Sequence, residues 1–253
     1  MEKILYKNQT DEVKEIIKGL KESFPDIQKD EEVTKTGFSP SALVWGDGIC
    51  ARRWHLLFKG AHWESVDESK AIDRMNAGTD RHERIQDKLK KGPLDVTVEE
   101  NLKVEYPPLN SYCDVVIHKE NKNIPVEIKT VSNDAFAFRK TSLKPATYHL
   151  TQLLLYMHIL GSDIGFLFYE NRDTFEKLVI PVRMTDEYQE YIDYMFEWMI
   201  QVYDEFEAGR MAKEFKGKRV NSKICKGCPV RRDCESDKYP GTIDVPLLKR
   251  IDQ

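Results

Sequence analysis

Apolar positions along the chain switch repeatedly between helical and strand spacing. From Gln9 to Glu22, Val13, Ile16, Ile17 and Leu20 recur at helical intervals behind Asp11 and Glu12, which predicts an amphipathic helix. A polar stretch follows. Phe38 to Leu43 then predicts a helix start that leads to Cys50, with Ser39 as cap and Pro40 at the first helical position. Ser69 to Lys90 predicts a second helix, stopped by Gly92 and Pro93. Asp95 to Tyr106 predicts a strand ended by Pro107 and Pro108, and Ser111 to Thr130 predicts two more joined by a polar turn about Glu120 to Lys122. Val131 to Lys144 is a loop or short helix, and Pro145 to Leu160 a strongly apolar helix. Phe166 to Glu170 and Thr174 to Val182 predict a further hairpin across Asn171, Arg172 and Asp173. Asp186 to Ala208 predicts a long helix whose Tyr188, Ile192, Met195, Met199, Val202 and Phe206 form a core stripe. The order strand, strand, strand, helix, strand, strand is a mixed α/β pattern, with a helix packed on a short sheet.

Composition narrows the class. The 253 residues fit one large domain with appendages, and no linker divides them. There is no long apolar run, and the opening Met-Glu-Lys-Ile-Leu-Tyr-Lys lacks a signal-peptide pattern, so an intracellular, cytoplasmic protein without membrane contact is expected. In a reducing compartment the five cysteines are expected to be ligands or core residues rather than disulfides. A net charge of −4 argues against a globally basic nucleic-acid coat and leaves room for a local one. Ala208 to Arg232 supplies it: nine lysines and arginines stand against the single acid Glu214, beside the last cysteines.

The hairpin from Ser111 to Thr130 holds the candidate chemistry. Alternation places Glu127 and Lys129 on one face and Val126 and Ile128 on the other, toward the core. Antiparallel pairing brings Asp114 opposite Glu127 to Lys129. Two carboxylates side by side repel unless a cation sits between them, and carboxylate oxygens suit magnesium or manganese. A salt-bridged edge strand fits the hairpin equally well. His82, on the second helix one turn after Gly78, needs support from elsewhere to count as a ligand. Gln152 and Tyr156 lie four residues apart on the apolar helix, share a face with His149, and need partners if buried. Phe136, Phe138, Arg139, Lys140 and Lys144 would either stack and hold single-stranded bases or close the core.

The cysteines form a second pattern, with two and then five residues between Cys225, Cys228 and Cys234. Cys50 is the natural fourth thiolate, because Cys113 stands beside Asp114 and would compete with the acidic site. Such a set holds zinc or an iron-sulfur cluster, and spacing alone does not separate them. Either would cross-link distant points of the chain, a structural role.

Taken in order, these residues resemble the RecB-like branch of the PD-(D/E)xK nucleases with an iron-sulfur staple. Gly78-Thr79-Asp80-Arg81-His82 is similar to the family's helical histidine motif, Asp114 to its aspartate, Glu127-Ile128-Lys129 to its E-x-K, and Gln152 with Tyr156 to its Q-x-x-x-Y. Cys50 followed by two arginines and an aromatic, with three late cysteines, is similar to the stapled nucleases of CRISPR adaptation, AddB-type helicase-nucleases and phage exonucleases; Ala51 departs from the proline often found there. The resemblance covers Phe38 to Cys234 and leaves 1–37 as an N-terminal helical extension and 235–253 as a C-terminal tail. It implies a restriction-endonuclease-like core whose N- and C-terminal segments are joined by a metal cluster. It further implies a DNA exonuclease acting on ends or single strands, in phage-type recombination or replication or in CRISPR adaptation. By the same resemblance His82, Asp114, Glu127 and the Ile128 carbonyl would ligate Mg2+ or Mn2+, and Lys129 would position the attacking water. Gln152 and Tyr156 would orient the lysine or the DNA backbone. Cys50, Cys225, Cys228 and Cys234 would hold a 4Fe-4S cluster, with Zn2+ as the alternative. No Gly-x-x-x-x-Gly-Lys-Ser/Thr loop is present, so any helicase or recombination partner would be a separate protein. The rival reading is a non-cleaving module that binds DNA ends or single strands.

Overall fold

The strands predicted between Asp95 and Val182 assemble into one five-stranded sheet, here described from a computed structural model covering residues 11–44, 46–67, 69–214, 224–236 and 240–251. The chain runs α1 (Asp11–Glu22), β1 (Ile27–Val33), α2 (Pro40–Leu43), a 3-10 turn (Gly46–Ile49), α3 (Ala51–Lys59), β2 (Ala61–Asp67) and α4 (Ser69–Lys90). It continues through β3 (Val96–Val104), β4 (Leu109–Lys119), β5 (Lys122–Val131), α5 (Asn133–Ser142), α6 (Thr147–Leu160), β6 (Ile164–Asn171), β7 (Lys177–Arg183) and α7 (Asp186–Glu207). A 3-10 turn (Cys225–Gly227) and α8 (Arg231–Glu235) follow. The sheet order is β3-β4-β5-β6-β7, with β5 and β6 parallel and every other pair antiparallel. This is a mixed α/β architecture with helices on both faces.

Those two layers decide which side chains are buried. On one face Ile85 and Leu89 of α4 pack on Val115, Val126 and Ile128. On the other, Leu153, Leu154 and Met157 of α6 join Leu167 and Tyr169, and Tyr156 joins Leu102, Cys113 and Val116. Both faces of β5 are therefore covered, so Glu127 is as buried as its apolar neighbours. No helix among the described residues is long and apolar enough to cross a membrane.

Several local expectations are corrected. Residues 9 and 10 of the first predicted helix lie outside the described residues, and the apolar stripe Val13, Ile16 and Leu20 of α1 is exposed. Ser39 takes the cap position of α2 in extended conformation, but its side chain makes no capping bond. The β4–β5 turn has two residues, Glu120 and Asn121, both at positive φ (51° and 61°), as the twist of a tight hairpin requires. Phe136 closes the core at 2% exposure, whereas Phe138 stands out in solvent at 62%.

β1, which lies in the predicted polar stretch, and β2, for which no strand was expected, form a separate two-stranded antiparallel sheet. Nearly every residue of β1 is exposed, so no apolar alternation marks it. The ribbon carries the cysteine-bearing segment. The Glu64 N–H donates to the Pro229 carbonyl at 2.8 Å, the His62 N–H donates to Asp233 Oδ2 at 2.8 Å, and Arg232 pairs with Glu64 at 2.6 Å.

α3 is buried from Ala51 through Phe58, polar residues included. Arg53 pairs with Asp47 at 2.6 Å and lies over the rings of Trp54 and Trp63. Arg52 donates to the Ala212 carbonyl, the Cys234 carbonyl and Cys234 Sγ at 2.8, 3.1 and 3.2 Å. His55 Nε2 meets the Val202 carbonyl at 2.8 Å while Nδ1 accepts the Ala212 N–H at 2.8 Å, a pairing that only the neutral ring satisfies.

Candidate active site

Asp114 stands where the sheet is locally broken. The β3–β4 register omits the pair Glu99 with Asp114, Glu99 has φ 51°, and the β4–β5 ladder ends at Val115 opposite Val126. Side-chain alternation slips by one residue there, since Cys113 and Val116 pack on the α6 side while Val115 and Ile117 pack on the α4 side. The break is filled by side chains. Asp114 Oδ2 accepts the Ile128 N–H at 2.7 Å, and Asp114 Oδ1 lies 3.6 Å from His82 Nδ1. Because N–H and C=O of one strand residue point to the same side, the Ile128 carbonyl also faces Asp114, beyond the last β4–β5 pair.

Glu127 and Lys129 share one face, as expected, and form an ion pair of 2.5 Å. Glu127 is 1% exposed, and its second oxygen, Oε2, has no hydrogen-bond partner among the described residues. Burial first and the Asp114 charge second push its carboxyl from the ordinary 4.5 up to about 8. Burial acts to lower Lys129, but the Glu127 carboxylate outweighs it and leaves the ammonium above its usual range. A buried carboxylate with one orphaned oxygen beside a second carboxylate is the arrangement that a cation would relieve.

Two residues absent from the sequence reading belong to the same cluster. Gln86, buried on α4 one turn after His82, donates to the Asp114 carbonyl at 3.0 Å and to Glu99 Oε1 at 2.6 Å. Glu99 adds its own negative field to that acting on Glu127. The four-residue spacing from His82 to Gln86 was the available signal.

On α6, Gln152 and Tyr156 find each other: Gln152 Nε2 lies 2.8 Å from the Tyr156 hydroxyl, which also meets Ser111 Oγ at 2.9 Å and the Tyr112 carbonyl at 3.1 Å. Tyr156 packs with Leu102, Cys113 and Val116 and feels the Glu127 charge, and among the described residues no bond joins the pair to Lys129. His149 turns instead to Tyr169, its Nδ1 being 3.0 Å from that hydroxyl, and Tyr169 sits opposite Lys129 in the β5–β6 register. Burial first, then Lys129 and Arg139, drive the His149 ring down to about 2.

These shifts set a pH profile. The folded Glu127–Lys129 pair holds its protons more tightly than the unfolded chain does, burial being the first cause at Glu127, so stability falls as pH rises toward 8. His149 and His55, both lowered by burial, act oppositely and remove stability as pH falls below about 6.5. Calorimetry in EDTA is expected to give a maximum melting temperature near pH 6.5, falling several degrees by pH 8.5. Glu127→Gln should flatten the alkaline limb; an unchanged limb would show that another group causes it.

Cys50, Cys225, Cys228 and Cys234 line one cavity of about 110 Å³ with Arg52 and Asp47. All four are free thiols, and burial raises each, Cys50 to about 11. Cys113 is a core thiol that bonds the Val115 carbonyl, well away from this cavity's lining. Among the described residues no three His, Cys, Asp or Glu side chains are already arranged to hold a metal ion, at either cluster. The basic stretch is largely neutralised where it is described: Arg210, Lys213, Arg231 and Arg232 pair with Glu205, Asp244, Glu235 and Glu64. Lys216, Lys218, Arg219 and Lys223 lie outside the described residues.

No protein-family model matches the chain, and no curated protein matches it. Among solved structures it is similar to an alkaline exonuclease (LHK-Exo) from Laribacter hongkongensis, at 14% identity over 68% of this chain and 90% of that one, TM-score 0.49. LHK-Exo in complex with dAMP matches at 14% identity over 53% and 69% of the two chains, TM-score 0.44. The structure of SSO0001 matches at 15% identity over 90% and 97%, TM-score 0.44. Likenesses this distant carry no argument about activity, which is read below from the site itself.

Proposed function

We propose that the chain is a metal-dependent deoxyribonuclease, an exonuclease of the RecB-like PD-(D/E)xK type acting on DNA ends or single strands. One observation carries the reading: the buried Glu127 leaves Oε2 without a partner beside Asp114, at the point where two strand ladders are interrupted. His82 and the Ile128 carbonyl face the same break, so an oxygen-rich set with one imidazole fits Mg2+ or Mn2+. When bound, that cation would polarise a phosphoryl oxygen and make a nucleophile of water.

The chain's own groups do the rest. Asp114 accepts the Ile128 N–H and so fixes the spacing of the two strands that carry the ligands. Lys129 holds its ammonium against Glu127, where it can position the attacking water and offset negative charge developing on the phosphoryl oxygens. Gln86 steadies the Asp114 backbone, and Gln152 and Tyr156, bonded to β4, would brace the α6 side of the sheet that carries Glu127. The four thiols are proposed to hold a 4Fe-4S cluster, which would supply a cross-link between α3 and the C-terminal segment. The cellular setting we propose is cytoplasmic, in phage-type recombination or replication or CRISPR adaptation, with strands opened by a separate helicase.

The test compares end-labelled linear DNA with closed circles in Mg2+, Mn2+ and EDTA. Mononucleotide release from linear DNA that needs the metal is expected. Tight DNA binding with no cleavage under any of these conditions would replace the enzyme with a binding module.

A further inference from the structure

The β6–β7 connection presents an aromatic side chain that neither core nor active site uses. Phe175 is 50% exposed and has φ 59°, a left-handed conformation that a bulky residue adopts at a cost. A tight loop enforces it. Asn171, itself buried, accepts the N–H groups of Asp173 and Thr174 on its side chain and that of Phe175 on its carbonyl, and its amide group bonds Asn133. The guanidinium carbons of Arg81 and Arg84 lie 5.6 and 5.4 Å from the ring centre. Both come from α4, three residues apart, so two cations flank a ring that is half exposed.

This unit is bound to the proposed active site at two points. Arg81 precedes His82, which reaches Asp114. Arg84 pairs at 2.5 Å with the buried Glu170, whose register partner on β5 is Thr130, next to Lys129. Arg84 is thus held in place, whereas Arg81 makes no ion pair among the described residues. A cover for the Glu170 pair would need only an aliphatic group in relaxed backbone. A strained loop that holds a flat, half-exposed ring against two cations, beside the proposed nuclease site, is chemistry suited to a nucleobase on its sugar-phosphate chain.

We infer that Phe175, backed by Arg81 and Arg84, is a stacking platform for one base of a single DNA strand whose backbone passes His82 and Asp114. The inference rests on the nuclease reading for its substrate. Arg81 would contact a phosphate next to the stacked base. A duplex end keeps its bases stacked on one another, so the platform favours a frayed or single strand.

The experiment measures binding in EDTA, apart from cleavage, using a short single strand that carries 2-aminopurine. Phe175→Leu keeps an apolar cover at the same backbone angle but removes the stack. It should weaken binding about tenfold and abolish the quenching of 2-aminopurine, while Phe175→Trp retains both. Arg81→Gln should reduce the slope of log affinity against log salt by about one. Melting curves of the Leu variant should match those of the parent. Equal affinity and equal quenching in the Leu variant would overturn the platform, as would a parent protein that does not bind single strands. If Phe175-dependent quenching persists in a protein that releases no nucleotide in Mg2+ or Mn2+, the platform stands and the nuclease reading fails. Metal-dependent release with a Leu variant like the parent removes the platform and leaves the nuclease.

Discussion

Asp114→Asn and Lys129→Met are each expected to lower metal-dependent nucleotide release by about a thousandfold while leaving a cooperatively folded protein. The asparagine still offers an oxygen to the Ile128 N–H, so the strand spacing that Asp114 sets at 2.7 Å is retained while its charge is lost. That charge is also the second cause of the raised Glu127 carboxyl, so the variant should titrate Glu127 at lower pH than the parent does. Methionine fills the Lys129 space without its ammonium. It removes the only cation within an ion-pair distance of Glu127 among the described residues, which turns a positioned water into an unassisted one. Single-turnover release at saturating Mn2+ reads the effect, and circular dichroism confirms the fold. Activity within tenfold of the parent in either variant would refute the assigned roles.

The second large effect concerns the thiols. Protein purified without oxygen is expected to be brown and to contain four irons and four sulfides per chain. Cys50→Ala should remove the colour and lower the melting temperature by more than about 10 °C, because a link between α3 and α8 spans most of the chain and restrains the unfolded state accordingly. Raised thiols must lose their protons when metal binds, so reconstitution should go faster at higher pH. A colourless protein with one zinc per chain would leave the cross-link and replace the cluster. A Cys50→Ala protein with unchanged metal and melting would remove both.

Much of this was legible because burial on both faces of β5 leaves strong marks. Val126 and Ile128 alternate with Glu127 and Lys129, and the long stripe of α7 repeats at helical spacing. The slip at Asp114 was not legible, since it depends on Glu99 taking positive φ on the neighbouring strand, and nothing in the local sequence requires a glutamate to do so. β1 escaped because it is exposed along nearly its whole length and is held by its pairing to β2 rather than by a buried face. Gln152 and Tyr156 were rightly read as needing partners. Their partners are each other, the Ser111 hydroxyl and the Tyr112 carbonyl of β4. Of the aromatic residues singled out for stacking, Phe136 serves the core and Phe138 is exposed, while the ring flanked by arginines is Phe175, which the sequence places at the start of a strand and the structure leaves in the connection before β7.

The burial of α3 also orders the making of the protein in time. The five-stranded sheet is complete once Arg183 has been added, so its ladders can form while later residues are still on the ribosome. Arg52 and His55 must wait for Val202, Ala212 and Cys234 to supply their acceptors and donors. The nascent chain therefore carries a finished acidic centre before it has a finished body, and α3 reaches its native seat only when the final cysteine segment has emerged.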